Sequence, residues 1–188
     1  MLIPQPPFDL MVDKTHEFWI TSVLGVFALC ALIFALIHWA RSGRPVVLIL
    51  FISGGLMMVF EAMVDTVGGC WFAENSITAF SAWGRPIPVW LCLAYFFYFG
   101  IGVGALWIAM RKGMTRTQLW MAFVLAMLGD LAFEMILLRF DPYAYYGHQP
   151  LRLEKFPLWW MAVNGLIPIV LAALTYRLHA LLRGWKHL

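Results

Sequence analysis

Polar and apolar positions in this chain do not alternate; they fall into long uninterrupted apolar blocks separated by short polar punctuation. Five blocks stand out, running approximately from Phe18 to Trp39, Val46 to Gly69, Pro88 to Met110, Gln118 to Phe140 and Leu158 to Leu182. A bilayer core about 30 Å thick is crossed by roughly 20 apolar residues at about 1.5 Å each, so each block predicts one membrane-spanning helix. A transmembrane β-barrel would show alternating segments of roughly ten residues, whereas these blocks are continuous and far longer. The expected fold class is therefore all-α: a polytopic integral membrane protein, with residues 1–188 forming a single bundle of about five transmembrane helices.

Composition agrees. Of the 188 residues, 63% are hydrophobic and 12% charged, a balance that makes lipid rather than water the main solvent of the surface. The few cations cluster in Arg41 and Arg44, in Arg111, Lys112 and Arg116, and in Arg183 and Lys186 of the tail. The positive-inside bias places these segments in the cytoplasm, which predicts an outside N-terminus and a cytoplasmic C-terminus. The net charge of +3 then reflects orientation and not affinity for nucleic acid. Asp9, Asp13, Lys14 and Glu17 precede the first block where a secretory signal would carry a basic region, and no small-residue cleavage site follows, so a retained helix is expected. The opening MLIPQPPF carries three prolines and is expected to be an extended or interface-lying lead-in.

Two connections differ from the short basic ones. The segment from Cys70 to Ile87 holds Trp71, Phe72, Phe80 and Trp83, and that from Asp141 to Pro157 holds Tyr143, Tyr145, Tyr146 and Phe156. An interfacial aromatic belt accounts for any one of these. Together with Pro86, Pro88, Pro142, Pro150 and Pro157, they suggest a rigid lid over a cavity entered from the outer side. Gly54, Gly55, Gly100 and Gly104 read as close-packing positions. Cys30, Cys70 and Cys92 show no metal or redox spacing and read as packing residues; Cys70 and Cys92 would pair only if the loop between them folds back.

Candidate chemistry lies in the polar residues within the blocks: Glu61 and Asp65 in the second, Asp130 and Glu134 in the fourth, Asn164 in the fifth. Spacing of i, i+4 puts each acid pair on one helical face. A charged carboxylate at mid-bilayer costs at least about 2.5 kcal/mol, so these faces must turn inward. Counting helical rise puts Glu61 roughly 22 Å and Glu134 roughly 24 Å from the cytoplasmic boundary, and Asn164 about 9 Å below the outer one, which predicts one shared level. Asp65 would sit above it and Asp130 one turn below, in a pocket open outward and closed beneath. Pro168 removes the helical partner of the Asn164 carbonyl and predicts a kink there that exposes the oxygen.

Four such carboxyls cannot all be ionised in a low dielectric, and an acid beside a carboxylate is the equipment of general acid–base catalysis. Other readings are interhelical hydrogen-bond networks, satisfaction by Arg85, Arg139 or Arg152 reaching down, or an oxygen-ligated hard cation. A transport pathway would require polar residues in the cytoplasmic half, which is almost bare. His16, His38, His148, His179 and His187 form no HxxxH or HxxH pair, which disfavours a histidine-rich di-iron enzyme.

The stretch from Glu134 to Asn164, with FEMILLRFDPYAYYGHQPL followed by FPLWWMAVN, resembles the AveC-like spirocyclase family of actinobacterial membrane proteins. An acid at a helix end, a Tyr-Tyr-Gly-x-Gln-Pro loop and a Pro-Leu-Trp-Trp helix start with a later Asn recur together in that family. Its best-described branch forms a spiroketal from a dihydroxy-ketone, sometimes with dehydratase activity. The resemblance implies that Glu134, Asn164, Tyr146 and Gln149 line the working cavity, with Asp65 and Asp130 as further acids. Trp160 and Trp83 are expected to complete the substrate-binding surface, and Glu61, Asp65, Asp130 and Glu134 to be the catalytic set. No cofactor and no metal is implied. The expected partners are a lipophilic small-molecule substrate and the lipid bilayer, with protein partners or a second copy open. A membrane-bound terpene cyclase would use the same acids on an alkene or epoxide; a non-catalytic accessory subunit of a membrane complex is the reading from a different class.

Overall fold

In the computed structural model, residues 5–181 are described. Met1–Pro4 of the expected lead-in, the predicted helix end at Leu182, and Arg183, Lys186 and His187 lie outside the described residues.

Five helices are long and apolar enough to cross a membrane. They are α1 (Lys14–Ser42), α2 (Val46–Gly68), α3 (Val89–Arg111), α4 (Arg116–Leu137) and α5 (Trp159–Leu181). Their surfaces are what lipid demands: Val67, Trp120, Leu125 and Phe18 all stand exposed. The chain is an integral membrane protein built on a helical bundle.

Where the boundaries depart from the hydropathy blocks, local capping explains the difference. Asp13 accepts hydrogen bonds from the backbone N–H groups of Thr15 (2.8 Å) and His16 (3.1 Å), so α1 starts four residues before its apolar block. At α4, the Thr115 and Gln118 side chains form a reciprocal capping box, which draws the start forward to Arg116. Gly43 and Gly69 close α1 and α2 in the left-handed conformation, both at φ 65°, where a side chain would be strained.

Two helices change their winding midway. A tight 3₁₀ turn occupies Met57–Phe60 of α2, and a wide π turn occupies Phe96–Ile101 of α3. Such irregularities concentrate at functional positions because they re-aim side chains without ending the helix.

The connections contain regular structure that hydropathy does not reveal. Strand β1 (Cys70–Phe72) pairs antiparallel with β4 (Tyr143–Tyr145), β2 (Thr78–Ala82) with β3 (Arg85–Pro88), and β5 (Arg152–Leu153) with β6 (Phe156–Pro157). The all-α bundle thus carries a small addition outside the spans: three short two-stranded ribbons cap one end of it. Trp83 and Gly84 form the two-residue turn of the β2–β3 hairpin, both with positive φ, as the twist of the flanking strands requires. The lead-in is clasped onto this cap: Asn75 exchanges hydrogen bonds of 2.9 Å with both backbone groups of Val12, and Phe8 packs edge-on against Trp71. Glu17, buried at the start of α1, accepts from the Ile77 N–H (2.5 Å) and pairs with Lys14 (2.7 Å).

Two apolar cores result. One, at the ribbon end, joins Leu24, Trp90, Tyr143, Phe156 and Trp160; the other, toward the Arg41 and Arg111 end, joins Ala35, Phe51, Phe99 and Trp107. In the second core α2 and α3 approach to backbone contact. A methyl group on Gly54 would lie 2.8 Å from the Phe99 Cβ and 2.9 Å from the Gly100 nitrogen, so only glycine fits.

Candidate functional site

Between the ribbons and the second core lies a cavity of about 470 Å³. All four intramembrane carboxyls, Glu61, Asp65, Asp130 and Glu134, line it, together with Asn164 and Trp160. Three further residues expected from sequence stand elsewhere. Trp83 is at the exposed tip of the β2–β3 hairpin, because the two-residue turn projects it away from the bundle. The Tyr146 hydroxyl accepts a hydrogen bond from Arg85 (2.8 Å) on the ribbon side. The Gln149 amide donates to the carbonyls of Gly68 (2.8 Å) and Tyr146 (3.0 Å), and its oxygen accepts from the Trp159 indole (3.1 Å). Gln149 thereby clasps the end of α2 to the start of α5. Neither Tyr146 nor Gln149 lines the cavity.

Three of the four acids, Glu61, Asp130 and Glu134, accept hydrogen bonds from neutral donors. The Tyr95 hydroxyl on α3 donates to Glu61 Oε2. Tyr143 (2.5 Å) and Tyr145 (3.3 Å), from β4, both donate to Glu134 Oε2. The Asn164 amide donates to Asp130 Oδ1 at 3.0 Å, tying α5 to α4. Asp65 Oδ2 and Asp130 Oδ2 are buried with no partner among the described residues, as are the indole nitrogens of Trp90 and Trp160 on the same walls.

The expected shared level needs one revision. Asn164 meets Asp130 and not Glu134, because α4 ends at Leu137 rather than Phe140. Measured from the helix ends, Asp130 then lies about 10 Å and Asn164 about 8 Å below the ribbons. The carbonyl freed by Pro168 is indeed offered to the interior, where the Tyr98 hydroxyl donates to the Asn164 oxygen at 2.9 Å.

Among the described residues no arginine forms an ion pair with these acids, and the Arg85 charge reaches Asp65 only through space. Arg85 is buried, but its guanidinium donates to the Cys70 carbonyl (2.6 Å) and to Tyr146, and lies 4.7 Å from the centre of the Trp71 ring. Arg152 donates to the Lys155 carbonyl at 3.3 Å. Among the described residues the ion pairs are Lys14–Glu17, His16–Asp13 and Lys155–Asp141, none of them in the cavity.

Burial, and next the charge of Glu134, pushes the Tyr143 and Tyr145 phenols well above their ordinary range, so both remain donors. Burial likewise pushes the Cys70 thiol up, reinforced by Asp65, Glu134 and Glu61, which disqualifies it as a thiolate nucleophile. Cys70 and Cys92 are separate free thiols. Among the described residues, no three His, Cys, Asp or Glu side chains converge as a metal site would need.

Sequence reasoning missed the phenols. A depth argument could have found Tyr95: it lies about 9 Å below the ribbon end of α3, and Glu61 about 10 Å below that of α2. Tyr143 and Tyr145 carried no such signal, since only the β1–β4 pairing turns alternate residues of β4 toward Glu134.

No family model, curated protein or solved structure matches the chain.

Proposed function

We propose that this chain is a membrane-embedded cyclase or dehydratase that applies carboxyl acid–base chemistry to a lipophilic substrate, in keeping with its resemblance to the AveC-like spirocyclases. The observation that carries the reading is the convergence of four carboxyls on one cavity, none of them in an ion pair among the described residues. A protein that needed only stable packing would gain nothing from them, because apolar residues of similar volume would avoid the cost of burial.

In this reading Glu134, in its protonated form, gives its proton to a carbonyl or hemiketal oxygen of the substrate. A substrate hydroxyl attacks the activated carbon, and its proton passes to the carboxylate of Glu61 or Asp65. In ketal formation one C–O bond forms, one breaks and a water molecule leaves; return of the proton to Glu134 restores the starting state. The faces of Trp90, Trp160 and Tyr143 would shield the oxocarbenium-like cation. Asn164, Tyr95 and Tyr145 hold the carboxyls in place. The same set would serve an isoprenoid cyclisation initiated by protonation of an alkene or epoxide.

The end bearing Arg41, Arg44, Arg111 and Lys112 would face the cytoplasm of a bacterial cell, with the ribbons on the outer side of its inner membrane. The test is conversion, in reconstituted vesicles, of long-chain dihydroxy-ketones and open-chain isoprenoids, read by mass spectrometry. Turnover is expected to be lost in Glu134→Gln and Glu61→Gln while the folded protein persists; turnover that survives both changes refutes the reading.

A further inference from the structure

The sequence suggests entry from the outer side, but the cavity walls say otherwise. Its lining at the ribbon end is sealed: Cys70, Phe72, Trp90, Tyr143, Tyr145 and Trp160 are all buried. Exposed lining residues occur in one place, at Phe60 on α2 and at Gly129 and Phe133 on α4. Phe60 is 60% and Phe133 37% exposed, although both also face the cavity.

Helix packing gives the reason. Helix α4 lies along α5, and α2 lies along α1 and α3, while α2 and α4 do not pack along one another among the described residues. Two facing edges border the gap. Met57, Phe60 and Val64 follow one another at intervals of three and four along α2, and Gly129 and Phe133 lie four apart on α4, so each set forms one ridge. The 3₁₀ turn at Met57–Phe60 falls on the first edge. Around the gap, Val59, Met63, Leu125, Leu128 and Ile136 are exposed and apolar, so it opens on lipid rather than water.

We infer that the cavity is loaded sideways from the bilayer, through a portal between α2 and α4 rimmed by Phe60, Gly129 and Phe133. The occupant this geometry selects is a small apolar molecule dissolved in the membrane, bearing a few oxygens. A volume of about 470 Å³ falls in the range of small-molecule sites, roughly 300–1,000 Å³. The carboxyl-bearing residues Glu61, Asp65, Asp130 and Glu134 and the amide of Asn164, all in the lining, are the polar partners for such oxygens. The inference names the substrate class of the proposed enzyme but rests on the cavity walls, not on turnover.

Gly129 makes the portal testable, since a Cβ built there meets no atom within 4 Å and replacing a mid-helix glycine favours the helix. The full chain in phosphatidylcholine vesicles would be photolysed with trifluoromethyl(iodophenyl)diazirine, a probe that partitions into lipid, and the adducts mapped by mass spectrometry. Adducts are expected on Glu61 and Asp130 in the parent protein. They should be lost in Gly129→Phe, retained in Leu128→Phe on the lipid-facing side of α4, and increased in Phe60→Ala, with lipid-face adducts unchanged throughout. Cavity labelling that ignores both Gly129→Phe and Phe60→Ala, or that never appears in the parent, overturns the portal. Turnover that survives Glu134→Gln and Glu61→Gln would remove the catalytic reading and leave the portal standing.

Discussion

The two halves of the bundle use the same apolar alphabet to opposite ends. Toward the basic end, Gly54, Gly100 and Gly104 let α2 and α3 meet: a methyl on Gly100 would lie 2.9 Å from the Phe51 ring and one on Gly104 3.0 Å from Val47. Toward the ribbon end, α2 and α4 part, bulky Trp90, Trp160 and Tyr143 stand between the elements, and the space enclosed collects every intramembrane acid. The contrast shows that a cavity inside a membrane protein is built by separating helices with aromatics and roofing the gap. Lipid supplies no hydrophobic drive to close such a gap, and packing alone decides whether it closes.

Substitutions in each half should behave accordingly. The largest effect is expected from Glu134→Gln, which should lower turnover by about 10²–10⁴ as the loss of a general acid does, with little change in thermal stability. The reverse pattern is expected in the other half: Gly54→Ala should cost about 1–3 kcal/mol through overpacking, read as a lowered unfolding midpoint in detergent, with the rate of surviving protein unchanged. If Glu134→Gln destabilised as much as Gly54→Ala, the acids would be structural and the contrast would fail. Tyr95→Phe tests the border between the halves. It leaves Glu61 Oε2 without its donor, and a loss of about 1–3 kcal/mol is expected, together with an altered pH profile of turnover.

Smaller effects belong to the cap. Gln149→Ala should remove about 0.5–1.5 kcal/mol for each lost hydrogen bond and speed amide exchange near Gly68, without abolishing turnover. The smallest is a pH effect at Asp13. Backbone hydrogen bonds from His16 and Thr15 hold this carboxyl below its ordinary 3.8 in the folded protein. Its contribution is present above the unfolded value and fades as pH falls through the folded one, so stability should decline slightly on acidification below about pH 4. Asp13→Asn should remove that component from the acid limb of the unfolding curve.

Legibility from sequence followed the range of the interactions involved. The spans were readable because bilayer thickness fixes how long an apolar run must be, and that constraint acts residue by residue. Likewise, i, i+4 spacing placed Glu61 with Asp65 and Asp130 with Glu134 on common faces, and Pro168 marked a freed carbonyl that Tyr98 does take up. The pairing of Asn164 with Asp130 was misplaced by one turn because α4 ends earlier than its apolar run. Gln149 and Tyr146 stand off the cavity lining, a placement the loop motif could not record because it carries no information on which way its side chains turn.

By itself, then, the sequence determined five membrane-crossing helices and the inward faces that carry acids, since both follow from local periodicity and the cost of charge in lipid. Helical rise also predicted one pocket for both acid faces; tertiary structure alone decided that phenols from α3 and β4 meet them and that, among the described residues, the exposed walls lie between α2 and α4. Those are relations between segments far apart in the chain, set by how glycine and aromatic side chains space the helices, and no periodicity records them.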